Sequence, residues 1–169
     1  MSVLKEENGV YAIDVTNATW ATDQVHELYH KSGIQLNDVD FLIECKDEAK
    51  LIAVEYKNAN IPDAVNPDKF NPAEDKYINK VSQKFYDTLH YLYLSDQMRP
   101  INYVYIVEYP KGDVVSRLRL RERIRKGLPF KLQENYGKKL IAGFDVLSIK
   151  EWNENELYGK YPIVLVENN

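Results

Sequence analysis

Two carboxylates and one lysine flank a pair of apolar runs in the first half of the chain. Asp40 precedes the run at residues 41–43, and Glu55 and Lys57 follow the run at residues 51–54. Short apolar runs separated by a charged turn predict two buried strands joined in a β-hairpin. The open ends of such a hairpin are neighbours, and residues two apart in a strand share a face. The spacing therefore predicts that Asp40, Glu55 and Lys57 meet at one edge of a sheet.

These three side chains have the chemistry needed to hydrolyse a phosphodiester. Two carboxylates and a backbone carbonyl, which Tyr56 would supply, form a hard oxygen site suited to Mg²⁺ or Mn²⁺. Such a cation polarises a phosphodiester and lowers the pKa of a bound water. The ammonium of Lys57 would position the attacking water or neutralise developing negative charge. The alternative is an exposed hairpin whose terminal charges are solvated.

The arrangement of Asp40, fourteen intervening residues, and then Glu55-x-Lys57 at a strand end resembles the PD-(D/E)xK nuclease superfamily, the restriction-endonuclease-like fold. Val39 stands where the family name has proline, which is a common departure. The resemblance implies an α/β/α sandwich with a mixed central sheet. It also implies that Asp40 and Glu55 bind Mg²⁺ or Mn²⁺ and that Lys57 assists the attack of water.

A helix is predicted before the hairpin, over about residues 19–31, with Gly33 as its terminator. In the resembled superfamily, the helix before the core sheet often offers an acidic residue to the active site. Asp23 and Glu27 are four residues apart and would share one face of this helix. Either of them could join the site, and either could be a solvent-facing carboxylate.

The longest predicted helix covers about residues 73–94, where apolar residues recur at helical spacing. Its polar face carries Lys80, Gln83 and Lys84. The resemblance implies that this helix contributes a Gln or Lys near the site, and Gln83 and Lys80 are the candidates. Lysines on one face also suit contacts with backbone phosphates, so all three residues are candidates for nucleic-acid binding. The alternative is a solvated helix face.

A basic segment occupies residues 111–139, which carry ten Lys/Arg and three Asp/Glu in a protein of net charge -4. Residues 116–126 favour a helix that ends at Gly127, although a strand with arginines on one side is the alternative. In the helix, Arg117, Arg121 and Arg125 would form one stripe of an Arg-rich surface. Arginine suits bidentate phosphate contacts, and the same surface could serve a homodimer or a protein partner.

Length and composition predict one globular domain over residues 1–169. The chain is 28% charged and 44% hydrophobic, as in ordinary globular proteins, and its one cysteine, Cys45, fits a reducing compartment. No apolar run is as long as a membrane span, and the N-terminus lacks a signal-peptide pattern. These features predict a cytoplasmic protein that does not associate with a membrane.

Together the patterns predict a metal-dependent nuclease acting on DNA. The loop at residues 58–72 directly follows Lys57 and contains three prolines and four asparagines, so it could shape substrate access or be a rigid surface crossing. The alternative function is a catalytically inactive domain of the same fold that binds nucleic acid or a protein partner. Two carboxylates without a cation would repel phosphate, which favours the enzyme. The sequence does not define the form of the substrate.

Overall fold

The computed structural model describes residues 2–46 and 50–166, whose strands and helices are as follows. The strands are β1 (Val3–Lys5), β2 (Tyr11–Asp14), β3 (Ala18–Thr22), β4 (Phe41–Cys45), β5 (Leu51–Asn58), β6 (Ile101–Glu108), β7 (Ile141–Leu147) and β8 (Ile163–Leu165). The helices are α1 (Val25–Lys31), α2 (Asp75–Leu94), α3 (Val114–Arg125), α4 (Phe130–Glu134) and α5 (Ile149–Glu154). Single 3₁₀ turns occur at Pro67–Lys69 and Tyr158–Lys160.

A mixed sheet in the order β3-β4-β5-β6-β7 forms the centre of the described part of the chain. β3, β4 and β5 pair antiparallel, whereas β5, β6 and β7 pair parallel. β5 and β6 are apolar along most of their length because strands inside a parallel pairing are covered on both faces. The predicted α/β class with a mixed central sheet is confirmed.

One face of the central sheet packs against α1, α2 and α3. Leu42, Ala53 and Tyr103 of the sheet share a core with Phe85 of α2 and Leu120 of α3. The apolar residues of α2 recur every three or four positions, which keeps them on one side of the helix. This packing fixes which side chains of α2 lie against the end of β5.

The opposite face is covered mainly by a three-stranded sheet in the order β1-β2-β8, together with α5. Ile13 of β2 and Ile163 of β8 pack against Val54 and Ile106 of the central sheet. Trp152 of α5 is fully buried in this layer, and its indole N–H donates to the carbonyl of Tyr161 at 2.7 Å. The second layer therefore differs from the helical layer of the expected α/β/α sandwich.

The prediction of one helix over residues 19–31 is wrong in its first part. Residues 18–22 form strand β3, which pairs with β4, and α1 begins only at Val25. The β-branched and aromatic residues Thr19, Trp20 and Thr22 favour a strand when a partner is present. Trp20 is half-buried and stacks on Tyr91 of α2 at 6.4 Å between ring centroids.

Other predicted elements agree more closely with the structure. α3 is a helix rather than a strand, and Asp113 caps its N-terminus by accepting the N–H of Ser116 at 2.6 Å. The hairpin of β4 and β5 is present, although residues 47–49 of its turn lie outside the described residues. Among the helices of the described ranges, none has the length and apolar character needed to cross a membrane.

Candidate active site

The hairpin brings Asp40 and Glu55 side by side. Phe41 pairs with Val54 in the antiparallel register, so the residues just beyond them are neighbours. The backbone N–H of Tyr56 donates to Oδ2 of Asp40 at 2.7 Å, which fixes this carboxylate beside β5. Asp40, Glu55 and Lys57 all line one cleft of about 180 Å³. The three residues singled out by their spacing therefore meet at one site.

Glu55 is the most buried carboxylate of the cleft. Its side chain is only 11% exposed because alternate residues of β5, from Leu51 onward, face the helix layer. Burial raises the pKa of Glu55 to about 8, and the neighbouring carboxylate of Asp40 adds to this rise while Lys84 opposes it. A carboxyl group shifted so far by burial and a charge partner, and lying in a cleft, is a typical feature of functional sites.

Asp40 is more open to solvent than Glu55, with its side chain 37% exposed. Its pKa is also raised, chiefly by desolvation, while the ammonium of Lys84 and the N–H of Tyr56 oppose the rise. The carboxylates of Asp38 and Glu7 contribute further to it. The end of the hairpin is thus a site of concentrated negative charge.

Lys84 supplies the positive charge that pairs with the two carboxylates. Its Nζ lies 2.7 Å from Oε2 of Glu55 and 3.9 Å from Oδ1 of Asp40, and its side chain is 14% exposed. Desolvation lowers the pKa of Lys84, but Glu55 and Asp40 outweigh it, so the pKa lies above its ordinary value. At Lys84 the alternative of a solvated helix face is wrong, because this side of α2 packs over the end of β5. The predicted contact with nucleic acid would need an ammonium open to solvent, whereas that of Lys84 faces the two carboxylates.

The other predicted residues of α2 divide between the cleft and the surface. Lys80 lies one helical turn before Lys84, is exposed and lines the cleft. Lys57, at the end of β5, is also exposed and also lines the cleft. Gln83 is exposed and does not line the cleft within the described part of the chain, so its predicted place near the site is wrong. Residues 80 and 84 share a helix face that position 83 does not share as closely.

Of the two acidic candidates in the first helix, only Asp23 lies toward the site. It lines an adjoining cavity of about 360 Å³ together with Asp40 and Lys84. Glu27 is exposed and forms a surface ion pair with Lys31 at 3.1 Å. Asp23 lies in the short connection between β3 and α1. The two carboxylates therefore do not share a helix face, as the prediction of one continuous helix had assumed.

The adjoining cavity also contains acidic residues that the sequence interpretation missed. Glu7 and Asp38 line it, and Oδ1 of Asp38 lies 3.1 Å from Nδ1 of His26. Glu7 lies in the connection between β1 and β2. It was missed because β1 is too short to be recognised from alternation of apolar and polar residues. Asp38 lies two residues before Asp40, and this spacing was the one available signal.

On the opposite side of the cleft, the loop that follows Lys57 lines a cavity of about 420 Å³. Lys57, Phe70 and Tyr77 border both the cleft and this cavity. Lys69 and Asn66 belong to the loop side alone. The concave surface therefore continues from the acidic cavity through the cleft to the loop at residues 58–72.

The structure does not bring Arg117, Arg121 and Arg125 to the cleft, within the residues it describes. The Arg117 side chain is 8% exposed and its Nε donates to a carboxylate at 2.7 Å, so its predicted place on an exposed phosphate-binding stripe is wrong. The three arginines lie on α3 beside the apolar residues that pack against the sheet. Each of them is therefore close enough to the rest of the protein to contact another side chain. The partners are Glu151 for Arg117, Asp145 at 3.6 Å for Arg121, and the Phe130 ring at 3.5 Å for Arg125.

The donor chemistry at the hairpin end fits Mg²⁺ or Mn²⁺. Asp40 and Glu55 present hard oxygen atoms, and their burial and mutual repulsion are relieved by a cation. No group of three or more His, Cys, Asp or Glu side chains is arranged to hold a metal ion in residues 2–46 and 50–166. A metal at this end of the hairpin would have Asp40 and Glu55 as its side-chain ligands.

Comparisons with protein-family models, with curated proteins and with solved structures found no match. A functional assignment therefore depends on the geometry and chemistry of the cleft.

Proposed function

We propose that this protein is a Mg²⁺- or Mn²⁺-dependent nuclease that hydrolyses phosphodiester bonds of DNA, with a domain of the restriction-endonuclease-like fold. The observation that carries the proposal is the meeting of Asp40, Glu55 and Lys57 in one cleft at the end of β5. The order and spacing of these residues resemble the PD-(D/E)xK motif, which supports the same assignment. The raised pKa of the buried Glu55 carboxyl also favours a functional rather than a solvated hairpin end.

Asp40 and Glu55 hold the cation in this proposal, together with the carbonyl oxygen of Tyr56. The bound cation supplies Lewis-acid activation of the phosphodiester and of water. Hydrolysis joins the water oxygen to phosphorus and breaks the bond to the leaving sugar oxygen, which takes up a proton. Lys57 is exposed at the cleft, where its ammonium orients the water or balances the charge that develops on the phosphoryl oxygens.

The phosphates on either side of the scissile bond must be bound by side-chain cations that are exposed and can reach the substrate. Lys80 is exposed and lines the cleft, and Lys69 is exposed and lines the cavity beside it. Each is suited to a backbone phosphate as a point charge. We assign the nucleic-acid contacts to these two lysines rather than to the arginines of α3.

The second candidate function is a catalytically inactive domain of the same fold that binds nucleic acid or a protein partner. One observation favours it: Lys84 is ion-paired with Glu55 at 2.7 Å. This contact neutralises one of the two carboxylates without a metal. A site that relied permanently on Lys84 would keep its shape and have no need of a divalent cation.

Cleavage of duplex DNA, single-stranded DNA and RNA with Mg²⁺ or Mn²⁺, and with a chelator, tests the proposal. We expect metal-dependent cutting of DNA that falls by about 10²–10⁴-fold in both Lys57→Ala and Glu55→Gln, as for loss of a catalytic group. Lys111→Ala is the control, because Lys111 is exposed and is not among the residues that line the cleft.

Two other outcomes would contradict the proposal. Cutting that persists in both cleft variants would place the activity in another site or in a contaminant. An absence of cutting, together with DNA binding that weakens as salt is added, would favour the binding domain.

A further inference from the structure

The ammonium of Lys84 occupies the position between the two carboxylates that a bound cation would also use. Nζ is at hydrogen-bond distance from Oε2 of Glu55 and is 3.9 Å from Oδ1 of Asp40. Both side chains of the close pair are largely buried, at 14% exposure for Lys84 and 11% for Glu55. A buried ion pair of this kind is costly to break unless another partner replaces the one that leaves.

When Glu55 is ionised, as metal binding requires, the charges at this point do not balance within the residues that the structure describes. One ammonium faces Glu55 and Asp40 directly, and Asp38 and Glu7 add negative potential from the adjoining cavity. Lys80 contributes positive potential at Glu55, but it is exposed and has no direct contact with either carboxylate among those seen in the described residues. The site therefore favours a further positive charge.

Lys84 also has space in which to move. Its side chain borders the cleft and the adjoining 360 Å³ cavity, so the ammonium could leave Glu55 without crossing the core. The cavity offers the carboxylates of Asp38 and Asp23 on its wall. Asp38 already acts on Lys84 electrostatically across this space. The ammonium would thus keep a carboxylate partner after leaving the cleft.

We propose that Lys84 is an internal counter-cation that a divalent metal must displace from Glu55, moving the ammonium into the adjoining cavity. This inference rests on the proposed function, because it requires a metal at Asp40 and Glu55. In the metal-free protein, Lys84 holds the two carboxylates together and prevents their repulsion. It thereby preserves the shape of the site and at the same time weakens the apparent affinity for the metal.

The test is direct binding of Mn²⁺, measured by calorimetry and by electron paramagnetic resonance, in wild type and in Lys84→Met. Methionine retains the unbranched apolar stem but removes the competing charge. We expect Lys84→Met to bind Mn²⁺ at least about tenfold more tightly, since a unit charge at this distance acts strongly in a partly buried site. Lys80→Met is the matched control on the same helix and cleft, and we expect a smaller change.

A labelling experiment on the wild-type protein does not depend on the folding of any variant. Acylation of lysines, followed by mass spectrometry of the peptides, compares Lys84 with the exposed Lys138 with and without Mn²⁺. We expect Mn²⁺ to increase the acylation of Lys84 several-fold, because the displaced ammonium reaches the open cavity. The acylation of Lys138 should be unchanged.

The outcomes separate this inference from the function on which it rests. Metal binding by wild type, with unchanged or weaker binding in Lys84→Met and unchanged labelling of Lys84, would overturn the displacement of Lys84 alone. A lack of Mn²⁺ binding in wild type and in both variants would overturn the metal site and this inference together. Metal-dependent cleavage by wild type would still support the nuclease when the displacement fails.

Discussion

A carboxylate in the position of Glu55 costs stability. Its side chain packs beside core residues of the helix layer and loses most of its hydration. The interaction with Lys84 offsets only part of this desolvation free energy. Proteins tolerate such groups mainly where activity requires them, at a cost in stability. The burial of Glu55 is therefore an argument for function that is independent of sequence resemblance.

The raised pKa of Glu55 predicts how stability depends on pH. The folded protein holds this proton more tightly than the unfolded chain, because the pKa of Glu55 is about 8 against an ordinary value of 4.5. The resulting stabilisation is complete below about pH 4.5 and is lost as the pH rises through about 8. In chelator-treated protein, we expect the free energy of unfolding in urea to fall by roughly 1–3 kcal/mol between about pH 5 and pH 8.5.

The variant Glu55→Gln should remove most of this dependence and should be more stable than wild type at the upper end of the range. Glu27→Gln is its matched control, since Glu27 is an exposed carboxylate that should leave the wild-type dependence intact. The same slope in Glu55→Gln as in wild type would show that another group causes it.

At the level of elements, the hairpin was predictable and the rotation of α2 was not. Asp40, Glu55 and Lys57 lie within one local motif, so strand alternation and register were sufficient to bring them together. Lys84 lies 29 residues after Glu55 in the sequence and reaches the same site from helix α2. Its helical spacing defines its neighbours on α2, but the side that meets the sheet depends on the tertiary packing of Val81 and Phe85.

The missed strand β3 has a similar explanation. Thr19 to Thr22 can continue toward the following helix or add to a sheet, and pairing with β4 decides between these conformations. Once the strand forms, Asp23 lies in a connection rather than on a helix face. The error in one element therefore misplaced Asp23, whereas Glu27 lies on a helix as expected.

The arginines of α3 give a prediction at the same scale. Arg117 donates to Glu151 at 2.7 Å, and Glu151 also caps α5 by accepting the N–H of Ser148 at 2.8 Å. Removing the guanidinium leaves a partly buried carboxylate without its cation. We expect Arg117→Ala to lower the free energy of unfolding in urea by about 2–4 kcal/mol.

The exposed neighbour Arg119 is the control, and Arg119→Ala should change stability by about 0.5 kcal/mol or less. DNA affinity, measured at a temperature where both variants are folded, should be the same as in wild type. A loss of DNA affinity in Arg117→Ala without a loss of stability would restore the phosphate-binding role expected from the sequence.

At the scale of the whole molecule, charge is distributed unevenly along the concave surface. The cavity beside Asp40 is bordered by Glu6, Glu7, Asp23 and Asp38 against Lys5 and Lys84. The cavity on the loop side is bordered by Lys57 and Lys69 against Asp63. A polyanion is repelled by the first region and attracted by the second. We therefore expect the substrate backbone to approach across the loop at residues 58–72.

Salt dependence of DNA binding tests this direction of approach. In a Glu55→Gln background that does not cleave, we expect Lys69→Ala and Lys80→Ala each to weaken binding and to reduce the slope of log affinity against log salt by about 1. Fluorescence anisotropy at several salt concentrations provides the measurement.

Lys131→Ala is the control for these variants, because Lys131 is exposed on α4 and belongs to the basic segment. Equal effects at Lys69, Lys80 and Lys131 would indicate diffuse attraction to surface lysines in general rather than contacts at the cleft. A larger effect at Lys131 alone would move the nucleic-acid contact away from the cleft.

The three-stranded sheet was the part of the architecture that sequence could not define. β1 and β8 are each three residues long, and β8 pairs with β2 across most of the chain. The apolar residues within 10–15 and 163–166 are compatible with short strands, but β1 gives almost no periodic signal and no local rule identifies so distant a partner for β2. The amphipathic and apolar patterns indicated the hairpin and the long helices, but neither strand β3 nor what covers the opposite face.

The two layers carry separate optical reporters. The chain has two tryptophans, and they lie on opposite sides of the central sheet: Trp20 stacks on Tyr91 of the helix layer, and Trp152 stacks on Tyr158 in the other. Replacing either one by phenylalanine leaves a protein whose tryptophan emission, excited selectively over that of the tyrosines, comes from one layer. Fluorescence can therefore distinguish a disturbance of the helices around the cleft from one confined to the far side of the sheet.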